Sequence, residues 1–303
     1  MRIATNNSYT DFLKNMATTE TKLHYTMGQL SSFKEVSKSS EDPLLISKIM
    51  NLNVAIDRNE TQNLEIKDAI SWSNTQDGIL ASVSDSMLRI KTLIQSSANT
   101  TSAAAEMEAN KNEIQQNIEA IVEALNTNFD GRYLFAGDKT TEPPFSVVKN
   151  AQGETYGIAY NGSDVNLPRE ISDGVTVNLV TDGNQLMGKN GAENLNDFFN
   201  QVIDSFDNSN RDAMANELLG KADNFRDNFV NVRTKVGSIY NRLKSAQDRN
   251  ETEKLNLKES LSNRQDVDVA EKYMQFQNEM LAYNATMSMG TKIMQTSILD
   301  YVR

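Results

Sequence analysis

Near the start of the chain the apolar residues Tyr9, Leu13, Met16, Leu23, Met27 and Leu30 recur at spacings of three and four, interrupted only by Glu20. The same alternation closes the chain through Tyr273, Phe276, Met280, Tyr283, Met287, Met294, Ile298 and Tyr301, with Gly290 at the one small position. These are the seams of coiled-coil helices. A narrow stripe cannot be buried by one helix alone, and an isolated helix is marginal in water, so each end of the chain needs a partner. The pattern predicts terminal coiled-coil segments over residues 1–41 and 264–303, packed on each other, on neighbouring copies, or on both. The candidate assembly interface is Leu13, Met16, Leu23, Met27 and Leu30 at one end, with Tyr273, Phe276, Met280, Tyr283, Met287, Met294, Ile298 and Tyr301 at the other.

Between these ends the period continues in longer helices. Ser39, Ser40 and Asp42 can cap and Pro43 suits a first helical turn, so a helix is predicted from there through Leu45, Ile49, Ile56, Leu80, Met87 and Ile94 to about Ser97. Unbroken, it would be roughly 80 Å long at about 1.5 Å per residue. Asn99 to Ser102 reads as a turn, and a second helix through Ile114, Ile118, Ile121 and Leu125 makes an antiparallel hairpin of helices. Residues 211–262 return to the helical period through Leu218, Phe225, Phe229, Val232, Val236 and Leu243.

The middle breaks this pattern. Nine of the 14 Gly lie between residues 131 and 191, and three of the four Pro lie between 143 and 168. Residues 154–160 followed by Asn161-Gly162 read as a strand leading into a tight hairpin turn, and residues 174–180 read as a second strand bounded by Asp-Gly pairs. Arg132 to Ala136 is expected to be extended, with Tyr133 and Phe135 on one face and Leu134 on the other. A short helix through Leu195, Phe198, Phe199 and Val202 leads back to the bundle. The fold class is therefore mainly α with a small β insertion. A long-helix bundle would span residues 42–137 and 195–263, and a small β-rich surface domain residues 138–194.

Composition removes most chemistry. A net charge of -11, with basic residues interspersed among acids, argues against a nucleic-acid surface. The absence of Cys excludes disulfides, thiolate metal sites and cysteine nucleophiles. No stretch has the length and apolarity of a secretory signal or a membrane span, so the sequence alone reads as soluble and cytoplasmic. His24 is the only histidine and has no second ligand near it, so it reads as a surface or seam residue. Gly153, Gly157 and Gly162 lack the spacing and following helix of a phosphate loop. Asp204 and Asp207 lack the Gly and terminal Glu of a calcium loop. Met287, Met289 and Met294 suit an adaptable interface better than a metal site. No catalytic residue, cofactor or metal is expected, and the chain does not read as an enzyme.

Three stretches carry a resemblance that covers the whole chain. They are Leu30-Ser31-Ser32 with residues 40–49 (SEDPLLISKI), residues 130–145 (DGRYLFAGDKTTEPPF) and residues 282–302 (AYNATMSMGTKIMQTSILDYV). Together they resemble the flagellin family, and the second stretch is similar to its hook–filament junction members. After Leu30-Ser31-Ser32 the family commonly has Gly and a basic-apolar pair, where this chain has Phe33-Lys34-Glu35-Val36. The resemblance implies an extracellular structural subunit, exported through the growing flagellum by its type III apparatus without a cleaved signal peptide. It implies a homo-oligomeric ring between the adjacent hook-associated protein and flagellin, and an export chaperone at the C-terminal region. It further implies terminal segments that are disordered in the free monomer and fold on assembly. Competing readings are a flagellin-like filament subunit and a helical sensor or signalling domain.

Overall fold

The computed structural model describes residues 2–99, 104–188 and 194–299. Asp42 caps the second helix by accepting the Leu45 amide at 2.9 Å, with Pro43 as the first helical residue. From there α2 (Pro43–Ala98) runs unbroken past Gly78, following α1 (Arg2–Ser32). α3 (Ala104–Leu125) leads into six short strands, β1 (Asn128–Phe129), β2 (Arg132–Tyr133), β3 (Phe145–Lys149), β4 (Thr155–Tyr160), β5 (Pro168–Ser172) and β6 (Val175–Asn178). The chain returns to helix in α4 (Leu195–Asp207) and the single turn α5 (Arg211–Ala213). A π turn (Met214–Leu218), α6 (Leu219–Gln265) and α7 (Val269–Leu299) follow. Helical periodicity predicted from residue 211 onward thus contains a π turn, at which Met214 and Leu218 are both buried.

The described residues divide into two compact units, one from residues 1–59 and 253–303 and the other from residues 60–252. In the second unit Leu80, Val83, Met87, Ile90 and Ile94 of α2 alternate by three and four and are fully buried. They share one core with Ile114, Ile118 and Leu125 of α3 and with Phe225, Phe229, Val232 and Val236 of α6. α3 runs antiparallel to α2, with Arg89 paired to Glu113 and Asn110 donating to Ser96 and Ser97. α6 is also antiparallel to α2, through Lys91–Asp223 at 2.7 Å and a two-pronged Arg233–Asp77 pair at 2.7 and 3.0 Å. Arg233, as hydrogen-bond donor, holds the Asp77 carboxyl below the usual carboxylate range.

The strands form three separate antiparallel hairpins, β1–β2, β3–β4 and β5–β6. Asp130 and Gly131 both have positive φ (52° and 77°), the pair of left-handed residues that a two-residue hairpin turn needs. β6 pairs with β5 across Asp173-Gly174. Asn161-Gly162 is not a hairpin turn. β4 pairs backwards onto β3, across a turn in which Asn150 accepts the Gln152 and Glu154 amides, so Phe145 stands opposite Tyr160. The local Asn-Gly signal loses because residue 161 is tied elsewhere, its amide donating to the Pro144 carbonyl at 2.7 Å.

The expected extended run from Arg132 to Ala136 also ends early, at Tyr133. Leu134, Phe135 and Ala136 are all fully buried rather than alternating between two faces. The reason is a backbone clamp. Gln76, buried on α2, donates its amide to the carbonyls of Leu134 at 3.2 Å and Val180 at 2.6 Å. The Gly137 amide donates to Thr181, and the Ser163 amide donates to Ala136. α4 closes this layer: Asn194 caps it, and Leu195, Phe198, Phe199, Val202, Ile203 and Phe206 are buried. Phe198 packs on Phe225 with ring centroids 5.3 Å apart.

Candidate assembly surface

In the first unit α1 and α7 lie antiparallel, Phe12 opposite Gly290 and Glu35 paired with Lys272 at 3.0 Å. The ends of the pair are tied by main chain: the Glu35 amide donates to Gln265, and the Val267 amide donates to Phe33. A Cβ at Gly290 would overlap the Phe12 ring, so glycine is what lets the two helices approach there.

The contact line differs from the predicted seam in a regular way. Met16, Leu23 and Leu30 are half-buried, but their companions on α1 are Phe12, Thr19 and Thr26, not Leu13, Glu20 and Met27. On α7 Phe276, Met280 and Tyr283 are half-buried, while Lys272 and Thr286 take the places expected for Tyr273 and Met287. Leu13, Glu20 and Met27 of α1 and Tyr273 and Met287 of α7 are thus each replaced on the contact line by the residue one place toward the N-terminus. The residues displaced from it stay outside: Leu13, Met27, Tyr273 and Met287 are 43–56% exposed. Tyr9, Met274, Leu281 and Met289 add to this uncovered apolar surface. Met294 and Ile298 fall within the helical span of α7, and Tyr301 lies outside the described residues.

Inside the pair the chemistry is reversed. Thr26 and Gln29 are buried, and the Thr26 hydroxyl, the Gln29 carbonyl oxygen and one Glu279 carboxylate oxygen are buried without a hydrogen-bond partner. Among the described residues no apolar side chain of α1 or α7 is fully buried. A fully buried Leu or Ile contributes about 1.5–3 kcal/mol, and each orphaned polar atom costs about 1–3 kcal/mol. Half-buried apolar contacts set against such orphans make a weak pair. Sequence periodicity could not separate the two lines, because both repeat every seven residues.

His24 is a surface residue, 3.9 Å from Glu20 on its own helix. Asp204 accepts the Tyr156 hydroxyl at 2.8 Å, and Asp207 pairs with Lys111. Among the described residues no group of three His, Asp or Glu could hold a metal ion, and no helix is long and apolar enough to cross a membrane.

Residues 3–140 match the bacterial flagellin N-terminal helical region, and residues 219–302 match the bacterial flagellin C-terminal helical region. Flagellar hook-associated protein 3 of Escherichia coli is 24% identical over 288 residues, covering 88% of this chain and 89% of that protein. Among solved structures, the chain resembles flagellar hook-associated protein 3 of Legionella pneumophila with a TM-score of 0.62 at 13% identity, over 71% of this chain and 98% of that one. It resembles Bacillus cereus FlgL with a TM-score of 0.56 at 22% identity, over 70% and 99% of the two chains.

Proposed function

The chain belongs to the bacterial flagellin family, and we propose that it is a non-enzymatic structural subunit forming the ring at the hook–filament junction. The observation that carries this reading is the inverted surface of α1 and α7, with orphaned polar atoms inside the pair and Leu13, Met27, Tyr273, Leu281 and Met289 outside. A helix pair arranged in this way gains most of its stability only when further copies or related axial subunits cover the second apolar edge. Similarity to hook-associated protein 3 over most of both chains favours the junction over the filament proper. In this reading the terminal segments 1–41 and 264–303 are the assembly elements, ordering fully on incorporation. The hook side is met by the adjacent hook-associated protein and the distal side by flagellin. Export runs through the type III apparatus, with a chaperone shielding the C-terminal helix beforehand.

Immunogold labelling of intact flagella tests the reading. A band confined to the hook–filament boundary is expected; label along the whole filament would assign the chain to filament subunits instead. Deleting residues 273–303 is expected to abolish filament growth, and normal filaments in that strain would sink the proposal.

A further inference from the structure

Phe33 stands just past the end of α1 with φ 56°, the left-handed conformation that a helix terminus usually gives to glycine. Its ring is 59% exposed, so the strain is not returned by packing within the chain. Beside it, the Lys34 side chain is exposed and makes no ion pair among the described residues. The turn therefore displays an aromatic ring next to an unpaired cation.

The second unit has a cavity of complementary character. It is about 560 Å³, lies among α2, the β1–β2 hairpin and β5, and is lined by Trp72, Phe129, Glu65, Asp68, Asp130, Arg132 and Arg169 among others. That volume falls in the range of about 300–1,000 Å³ typical of binding sites. Trp72 and Phe129 form an edge-to-face aromatic wall, centroids 5.8 Å apart. The Trp72 indole N–H is buried without an acceptor. Glu65, Asp68 and Asp130 outnumber the two arginines, and none of the five is ion-paired among the described residues.

We infer that the Phe33–Lys34 turn of one copy docks in the Trp72–Phe129 cavity of a second copy. The ring meets the aromatic wall, and the lysine meets Glu65, Asp68 or Asp130. Because turn and cavity are different patches, the contact is heterologous, the kind that propagates into a ring or a helical array. The inference rests on the reading of the chain as a self-assembling subunit.

Trp72 is the only tryptophan, and the chain has no Cys, so two clean probes exist. A synthetic peptide of residues 30–42, which holds no Trp or Tyr, titrated into the full-length protein should change Trp72 emission saturably. Phe33→Ala or Lys34→Glu in the peptide should weaken binding at least about tenfold, the loss of about 1.4 kcal/mol. In parallel, full-length Phe33→Cys and Asp68→Cys proteins, mixed and treated with a short bismaleimide, should give a mixed covalent dimer that neither gives alone. No emission change at millimolar peptide, an equal change with a scrambled peptide, or no mixed dimer would overturn the inference. Junction-confined gold label alongside any of those results would leave the functional reading standing and remove only the docking mode.

Discussion

Asn126 holds Phe145 by both of its main-chain groups, its amide donating to the Phe145 carbonyl at 2.7 Å and its oxygen accepting the Phe145 N–H at 2.9 Å. A side chain at the end of α3 thereby stands in for a neighbouring strand and sets where β3 begins. Asn126→Ala should destabilise the second unit by about 1–3 kcal/mol, since two main-chain groups lose their partner. Asn126→Asp keeps the acceptor for the Phe145 N–H but sets a carboxylate oxygen against the Phe145 carbonyl, so it should lose at least as much. Urea denaturation checks this, and a smaller loss in Asn126→Asp than in Asn126→Ala would contradict it.

Tyr160 is half-buried opposite Phe145, and its hydroxyl lies 2.8 Å from the Ser163 carbonyl and 3.2 Å from the Phe135 carbonyl. Burial pushes its phenol up to about 12. A tyrosine raised above its unfolded value, near 10, adds stability that is complete below that value and is lost as pH rises toward the folded one. Spectrophotometric titration should show one tyrosine ionising near 12, absent in Tyr160→Phe. The variant should also have a flatter alkaline stability limb.

Asp77 and Arg233 predict the opposite limb. The Asp77 carboxyl is depressed by its arginine, so its contribution is present above the unfolded aspartate value and disappears as pH falls through the folded one. Both side chains are 43% exposed, so solvent screening limits the pair to about 0.5–1 kcal/mol. Asp77→Asn should therefore lower stability at neutral pH by that amount and leave it unchanged well below the aspartate range. Thermal melts at the two pH values decide it.

Gly131 and Gly137 both have positive φ, but only Gly137 is enclosed. A Cβ at Gly131 meets nothing, whereas one at Gly137 would overlap the Ser163 main chain. Gly131→Ala should cost about 1–2 kcal/mol from backbone conformation alone, and Gly137→Ala clearly more, since main-chain atoms must move. Comparable losses in chemical denaturation would show that the Ala136–Ser163 contact yields easily.

Thr26→Val should stabilise the α1–α7 pair by about 1 kcal/mol, because it removes a buried hydroxyl that has no partner. Amide exchange in α1 should slow about fivefold. Leu281→Ser, on the uncovered edge, should leave exchange in the monomer unchanged while preventing incorporation into flagella. If Thr26→Val speeds exchange instead, the hydroxyl is serving the pair.

Much of this architecture was legible in the chain because helix periods, caps and Asp-Gly turns act over a few residues. Asp42-Pro43 starts α2, Asp173-Gly174 bounds β6, and the spacing of Leu80 to Ile94 marks a buried face. The Gly- and Pro-rich middle announced the β insertion.

What only the tertiary structure decided were choices between alternatives that are nearly equal locally. Residues 134–136 bury completely because Gln76, remote in sequence, takes the Leu134 carbonyl. Asn161-Gly162 loses its hairpin because residue 161 bonds back to Pro144. The terminal helices each carry two heptad lines one residue apart, and sequence alone marked the more apolar of them. The close approach of Phe12 to Gly290 accompanies a contact line one residue over, through Thr19 and Thr26. That one-residue difference turns a simple intramolecular seam into an uncovered apolar edge, because a helix facing one partner can bury only one of two adjacent stripes.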